Sequence, residues 1–211
     1  LLKSFSQNSK IDSLRTIIFN YEATNPNFER DTVYIQHLLN LSANFRYINL
    51  DSVLVYAETS KKLSDPIGYK YGILASNKEI GNGYMLKGDY ERAKEIHLKN
   101  LVDTKVYKEH KLVTETYNSI CYIYIRNSNY PMAYKTSLEA IDYAYEHKDY
   151  KNTIVMKLNV GVMFSLLRDF ENSLRYFNDC LKYQEIYDIR VNEGMVHANI
   201  GYSYLHLKEY Q

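Results

Sequence analysis

Ile80-Gly81-Asn82-Gly83-Tyr84 carries a pattern that returns along this sequence at a fixed interval and so indicates the fold. An aliphatic residue, a small residue and, three positions later, an aromatic residue recur every 40 residues. The later copies are Ile120-Cys121-Tyr122-Ile123-Tyr124, Val160-Gly161-Val162-Met163-Phe164 and Ile200-Gly201-Tyr202-Ser203-Tyr204. A regular period of this size is typical of a solenoid, in which each repeat packs on its neighbours.

Each copy of the motif continues into a turn and a second helix. The turns are Gly88-Asp89-Tyr90, Ser128-Asn129-Tyr130, Arg168-Asp169-Phe170 and Lys208-Glu209-Tyr210. Asp89, Asn129 and Asp169 are predicted N-caps, because their side-chain oxygens can accept hydrogen bonds from unpaired backbone N–H groups. The small residues three positions after the turn aromatic are Ala93, Ala133 and Ser173. We therefore expect each repeat to be a helix A, a tight turn and a helix B, with small residues where the two helices approach closely.

This pattern resembles the tetratricopeptide repeat (TPR) family, whose motif runs Leu-Gly-x2-Tyr, then Ala, three residues and Phe. The resemblance covers about residues 34–211 and implies an all-α fold, a right-handed superhelix of helix-turn-helix repeats. The sequence departs from the family in lacking the tryptophan, in having Cys121 for a glycine, and in having His97 and Ser137 where an aromatic is usual. The period exceeds the usual 34 residues, which predicts roughly 9 Å of additional helix per repeat.

A fainter copy of the motif starts the array earlier. Leu41-Ser42-x-x-Phe45 repeats it, and Asn49 to Val53 supplies the turn and the start of a helix B that should run to about Leu63. Upstream, apolar residues at helical spacing predict an N-terminal helix over residues 9–23, packed on the first repeat.

Three segments are expected from these patterns. Residues 1–8 are either a signal-peptide remnant or a ragged end, residues 9–30 are the N-terminal helix and its loop, and residues 31–211 are an array of about four and a half repeats. The array stops after the turn that should precede another helix B. The sequence therefore predicts a piece of a longer protein whose output part is missing.

Charge and composition exclude several classes of partner and leave the compartment open. Lys and Arg (26) nearly balance Asp and Glu (25), without the basic excess that duplex binding requires, so nucleic acid is not an expected partner. No run approaches the ~20 apolar residues of a membrane span, so membrane contact is expected only through a missing segment. Cys121 and Cys180 fall in different repeats and should not form a disulfide. The location is extracytoplasmic if residues 1–8 are a signal remnant, and cytoplasmic otherwise.

No catalytic or metal-binding pattern is apparent, so we expect a non-enzymatic segment without cofactor or metal. The six histidines contain no i,i+4 pair with a nearby acid. Gly81-x-Gly83 has the wrong spacing for a dinucleotide loop, and no strand precedes it. Cys121 sits in a predicted core position, which is the opposite of a reactive cysteine's setting.

The TPR resemblance implies a concave groove lined by one face of the A helices. The candidate binding residues on that face are Lys78, Asn82, Met85, Asn118, Tyr122, Ile125, Arg126, Leu158, Val162, Leu166, Tyr202 and His206. Lys78 and Asn82 resemble half of the carboxylate clamp of chaperone-binding TPR domains, but the matching basic pair is replaced by Val155 and Asn159. A chaperone adaptor is therefore rejected.

The apolar and aromatic character of this face favours a helix or a hydrophobic peptide as the partner. Alternatively, the same residues pack against a neighbouring helix or a second subunit in a homodimer.

The chain also resembles, over short stretches, the TPR sensor regions of bacterial signalling proteins. Lys10-Ile11-Asp12-Ser13-Leu14 and Asp51-Ser52-Val53 carry this resemblance. It implies a sensory or regulatory module placed before a histidine kinase or a helix-turn-helix output domain. The alternative is a structural scaffold or oligomerisation module of a multiprotein assembly.

Overall fold

The protein folds as a succession of antiparallel helices, as the repeat pattern predicts. A computed structural model describes the backbone of residues 2–209 and the side chains of residues 8–207. Within these residues there are ten α-helices and no strand. The helices are α1 (Leu2–Thr24), α2 (Thr32–Phe45), α3 (Leu50–Ser64), α4 (Lys70–Leu86), α5 (Tyr90–Val106), α6 (His110–Arg126), α7 (Tyr130–Glu146), α8 (Tyr150–Leu166), α9 (Phe170–Tyr187) and α10 (Glu193–Glu209).

The chain divides into two compact units, one ending at Leu112 and the other beginning at Val113. In unit 1, α1, α2, α3, α4 and α5 each pack on the next helix in the chain. In unit 2, α7, α8, α9 and α10 do the same, and α8 also contacts α10. Packing between consecutive helices, with added contact between alternate ones, is the arrangement of an α-solenoid.

The N-terminal helix packs on the first repeat, as expected, but it is longer than the sequence predicts. Ile11 and Ile18 of α1 are buried against Tyr34 and Leu38 of α2. The helix begins at Leu2 and not near residue 9, because no proline or glycine in residues 2–8 interrupts it. At the other end, α10 continues through Lys208 and Glu209, where a turn was expected, and Tyr210 lies outside the described residues.

The predicted N-caps of the B helices are confirmed. Asp89 accepts a hydrogen bond from the backbone N–H of Arg92, and Asp169 accepts one from that of Asn172. Asn129 caps α7 in the same way. The A helix α8 has an equivalent cap in Asp149, which the sequence pattern did not single out.

The turns show that the 40-residue period is built from two halves of 20 residues. Each of the five turns from α4 to α9 contains a left-handed residue: Gly88, Ser128 and Arg168 within repeats, and Lys108 and Lys148 between repeats. After each of them, the next backbone N–H bonds to a carbonyl five residues earlier, which satisfies the C-terminus of the preceding helix. Helices of 17 residues and turns of three thus alternate from α4 to α8.

The small-residue positions bring helices A and B together, as predicted. A Cβ atom added to Gly81 would lie 2.6 Å from Nε2 of His97 in α5, and one added to Gly161 would lie 2.5 Å from Cε1 of Phe177 in α9. A ring from helix B therefore fills the space that a side chain on helix A would occupy. At Gly201, by contrast, no described atom lies within 4 Å of an added Cβ.

Gly161→Ala should lower the free energy of unfolding by roughly 1–3 kcal/mol, because the buried Phe177 ring has no room to move away. Gly201→Ala is the matched control, since it makes the same change in an A helix but meets no neighbour. It should be neutral or stabilising by up to about 1 kcal/mol through helix propensity. Urea denaturation of both variants measures the difference. Equal effects would contradict the close approach of α8 and α9.

The left-handed turn residues give a second pair of variants. Gly88→Ala should destabilise by about 1 kcal/mol through backbone strain alone, because no atom lies within 4 Å of the added Cβ. Arg168→Gly should stabilise by a similar amount, since it relieves the same strain in the equivalent turn. Thermal unfolding followed by circular dichroism checks both. A stabilising Gly88→Ala would mean that this turn is not left-handed.

Candidate functional site

Unit 2 presents a row of large side chains on its A helices. We define the unit 2 A-face as Tyr122 and Arg126 on α6, Val162 and Leu166 on α8, and Tyr202 on α10. Residues four apart lie on one face of a helix, and the 40-residue period places equivalent side chains on successive A helices. Tyr122, Leu166 and Tyr202 have 43%, 56% and 49% of their surface exposed. Tyr122 and Tyr202 occupy equivalent positions, and Leu166 lies one helical turn beyond the equivalent Val162. Exposed apolar and aromatic residues grouped in this way form a surface suited to a partner.

The other candidates in this unit lie deeper. Asn118, Ile125 and His206 are half-buried beside the unit 2 A-face. Leu158 is only 2% exposed and packs on Phe177 in the core, because it lies three residues before Gly161 and shares its helix-B-facing side. Leu158 therefore lies in the core beneath the unit 2 A-face and is not accessible to a ligand in this conformation.

Two asparagines connect neighbouring A helices beside this face. Nδ2 of Asn159 in α8 donates a hydrogen bond to Oδ1 of Asn118 in α6, with 2.7 Å between the two atoms. Each amide carries donor and acceptor capacity beyond this single bond. An amide pair of this kind can bind the backbone of an extended segment. From the sequence, Asn159 is distinguished only as a position that lacks a basic residue, because contact between successive A helices leaves no local signal.

Aromatic rings hold the α10 edge of the face in place. The ring of His206 lies 4.3 Å from that of Tyr202 and stacks on Phe170 of α9 at 5.2 Å. Tyr202 also meets Phe170 edge to face. These contacts order Tyr202 before any partner binds, which lowers the entropic cost of binding.

In unit 1, Lys78 and Glu79 of α4 form a charge cluster with Arg46, which follows α2. Glu79 is buried and accepts hydrogen bonds from Arg46, through Nε at 3.1 Å and Nη2 at 2.6 Å. Nζ of Lys78 lies 3.3 Å from Oε1 of the same carboxylate. Burial alone would raise the pKa of Glu79, but the charges of Lys78 and Arg46 outweigh it and hold this pKa below its usual range.

Lys78 and Asn82 are less available to a ligand than the sequence predicts. Arg46 provides a second cation beside Lys78, as a carboxylate clamp requires. Both cations, however, contact the carboxylate of Glu79 in the protein itself. Asn82 is buried, and Met85 is half-buried. The α4 face thus offers fewer exposed contacts to a partner than the unit 2 A-face.

His97 is buried near this charge cluster. Neither ring nitrogen has a hydrogen-bond partner among the described residues, and the side chain is fully enclosed. Burial is the main cause that lowers the pKa of His97 to about 4; the charges of Lys78 and Arg46 act in the same direction, and that of Glu79 opposes them. The imidazole is therefore neutral at pH 7 and acts as a packing ring over Gly81.

Potential metal ligands do not cluster in the described part of the chain. Among residues 8–207, no group of three or more His, Cys, Asp or Glu is arranged to hold a metal ion. No helix in the described part of the chain is long and apolar enough to cross a membrane. Burial raises the pKa of Cys121 to about 11 and that of Cys180 to about 12, which keeps both thiols protonated at neutral pH.

No protein-family model and no curated protein matches this chain. Solved structures with the same fold exist, at low sequence identity. A STAND-class signal transduction ATPase with a tetratricopeptide repeat sensor from Pyrococcus horikoshii matches 95% of this chain, with 15% identity and a TM-score of 0.73. Aspartyl phosphate phosphatase F from Bacillus subtilis matches 98%, with 12% identity and a TM-score of 0.77.

A third structure, a Rap protein complexed with Competence and Sporulation Factor, matches 97% of this chain, with 13% identity and a TM-score of 0.65. This chain spans 31% of the ATPase, 57% of the phosphatase and 61% of the Rap protein. The likeness shows that the chain has the fold of TPR-containing proteins.

The buried His97 predicts a pH dependence of stability. Its pKa is about 4 when folded and near 6.5 when unfolded, so the unfolded state binds more protons between these pH values. The free energy of unfolding should therefore be highest above about pH 6.5 and lose up to about 3 kcal/mol from this residue as the pH falls towards 4. Urea denaturation at a series of pH values measures the loss.

His97→Phe should remove this part of the pH dependence, because Phe177 shows that a phenyl ring fits over the equivalent glycine. His197→Gln, at an exposed position in α10, is the control and should keep the wild-type slope. If His97→Phe and the wild type lose stability equally on acidification, His97 is not buried in its neutral form.

Proposed function

We propose that this chain is a non-catalytic interaction module whose unit 2 A-face binds an apolar peptide segment of a protein partner. The proposal rests mainly on the exposure of Tyr122 and Tyr202 at equivalent positions of α6 and α10, and of Leu166 one turn further along the intervening helix α8. Exposed apolar patches of this kind mark interaction sites more often than scattered single residues do.

The chemistry of the face indicates what the peptide should contain. Tyr122 and Tyr202 offer large, amphipathic contact surfaces, and tyrosine is enriched among residues that dominate binding energy. The Asn118–Asn159 pair is placed to exchange hydrogen bonds with a peptide backbone.

We further propose that the module is the sensory or regulatory region of a larger bacterial signal-transduction protein. Structures with this fold include a signal transduction ATPase with a TPR sensor and a Rap protein bound to a signalling factor. The chain spans only part of each. The alternative, a scaffold that acts only by assembly, would use the same fold without a peptide ligand.

A phage-displayed library of random peptides, selected on the purified chain, tests the proposal. Apolar peptides should be enriched, and one of them should bind in isothermal titration calorimetry. Tyr122→Ala and Tyr202→Ala should each weaken that peptide by about tenfold or more, as expected for aromatic contact residues. Helicity should not change, because both side chains are substantially exposed.

Tyr47→Ala is the matched control, since Tyr47 is an exposed tyrosine of unit 1 outside the A-face. It should bind the peptide as the wild type does. A library that yields no binder, or a peptide whose affinity is unchanged in Tyr122→Ala/Tyr202→Ala, would contradict the proposal and favour the scaffold.

A further inference from the structure

A groove in unit 1 is separate from the unit 2 A-face and has no part in the proposed peptide binding. It has a volume of about 320 Å³ and runs between α1 and α3, with α2 as its floor. The floor is formed by Leu38, Leu41 and Tyr34, and the wall on α3 includes Val55 and Tyr56. A cavity of about 150 Å³ already accepts a benzene ring, so this groove has room for an aromatic side chain.

The charged residues on the α1 wall of the groove are arranged so that two antiparallel copies of α1 have opposite charges facing each other. Arg15, Ile18, Phe19 and Glu22 line the groove and share one face of the helix, at positions i, i+3, i+4 and i+7. Arg15 and Glu22 lie at equal distances from the midpoint between Ile18 and Phe19. A second α1 running antiparallel would therefore place Arg15 opposite Glu22 twice, which is the reciprocity that a two-fold interface requires.

The exposed residues on this wall fit the same arrangement. Phe19 is 70% exposed although it lies beside an apolar groove, and Val55 on the opposite wall is 57% exposed. With the two helices antiparallel, Phe19 of each copy lies next to Ile18 of the other, at the entrance of the partner's groove. In this arrangement, the Phe19 ring that is exposed on one copy occupies the groove of the other copy.

The surroundings of the groove are ordered without a partner. The hydroxyl of Tyr34 donates a hydrogen bond to Oε1 of Glu22 at 2.6 Å. The rings of Tyr56 and Phe45 stack at 5.6 Å, and the guanidinium of Arg15 lies 5.4 Å from the centre of the Phe45 ring. Arg15 and Glu22 are therefore held at the two ends of a formed cavity, ready for reciprocal pairing.

We propose that a second copy of this chain docks on the groove, through antiparallel α1 helices with reciprocal Arg15–Glu22 pairs and reciprocal insertion of Phe19. This surface lies in unit 1, so the proposal stands or falls independently of peptide binding by unit 2. The interface is compact, and its association constant should be measurable in a micromolar-to-millimolar concentration series.

Sedimentation equilibrium of the whole chain tests this proposal, and the wild type should form dimers. Phe19→Ala should weaken dimerisation by about tenfold or more, because an anchor residue is removed from a pocket. At a concentration where both chains are monomeric, its thermal unfolding should match that of the wild type, since Phe19 is mostly exposed. A wild-type chain that stays monomeric throughout the series, or a Phe19→Ala chain that dimerises equally well, overturns the proposal.

Charge reversal tests the antiparallel geometry directly. Arg15→Glu alone and Glu22→Arg alone should each be monomeric, because like charges then face each other at both ends. An equimolar mixture of the two should form a heterodimer, and Arg15→Glu/Glu22→Arg should dimerise like the wild type. Dimerisation of Arg15→Glu by itself, or a mixture that stays monomeric, would overturn the assigned pairing.

Discussion

The close approach of helix A and helix B within one repeat determines how the helices of the array pack. Between α8 and α9, the space above Gly161 is filled by the ring of Phe177. Between α6 and α7, the same position holds the larger Cys121, and the residue facing it is the smaller Ser137, whose hydroxyl lies 3.3 Å from the sulfur. A glycine thus faces a ring and a cysteine faces a serine, so a larger residue on helix A is matched by a smaller one on helix B, as close packing requires. This constraint fixes the geometry of each hairpin and the register of the next.

The surface that we propose as functional follows from that register. In each hairpin, the small residue of helix A faces helix B, and the residue directly after it points away from that contact. Gly161 is therefore buried while Val162 is half-exposed, and Cys121 is buried while Tyr122 is exposed. Because the hairpins repeat every 40 residues, the outward positions line up on consecutive A helices. A peptide-binding face therefore needs no separate scaffold, since the packing that stabilises the repeats also aligns the side chains.

The sequence could predict features that depend on neighbours along the chain, and it missed those that depend on tertiary packing. The N-cap at Asp169 and the small residue at Gly161 were predicted because each has a local pattern. The left-handed conformation of Lys148 was not predicted, because lysine has no preference for this conformation and the surrounding helices impose it. Leu158 was assigned to the binding face but lies in the core, and the buried Glu79 was not foreseen at all. Both depend on neighbours more than ten residues away in sequence.

A double-mutant cycle between positions 161 and 177 tests most directly whether the ring and the glycine are coupled. Gly161→Ala, Phe177→Ala and the double variant should be compared by urea denaturation. With the ring removed, the added methyl group has space, so Gly161→Ala should lose its destabilising effect, and the two changes should be coupled by roughly 1–3 kcal/mol. Additive effects within about 0.5 kcal/mol would contradict the account, because they would mean that Phe177 does not occupy the space above Gly161.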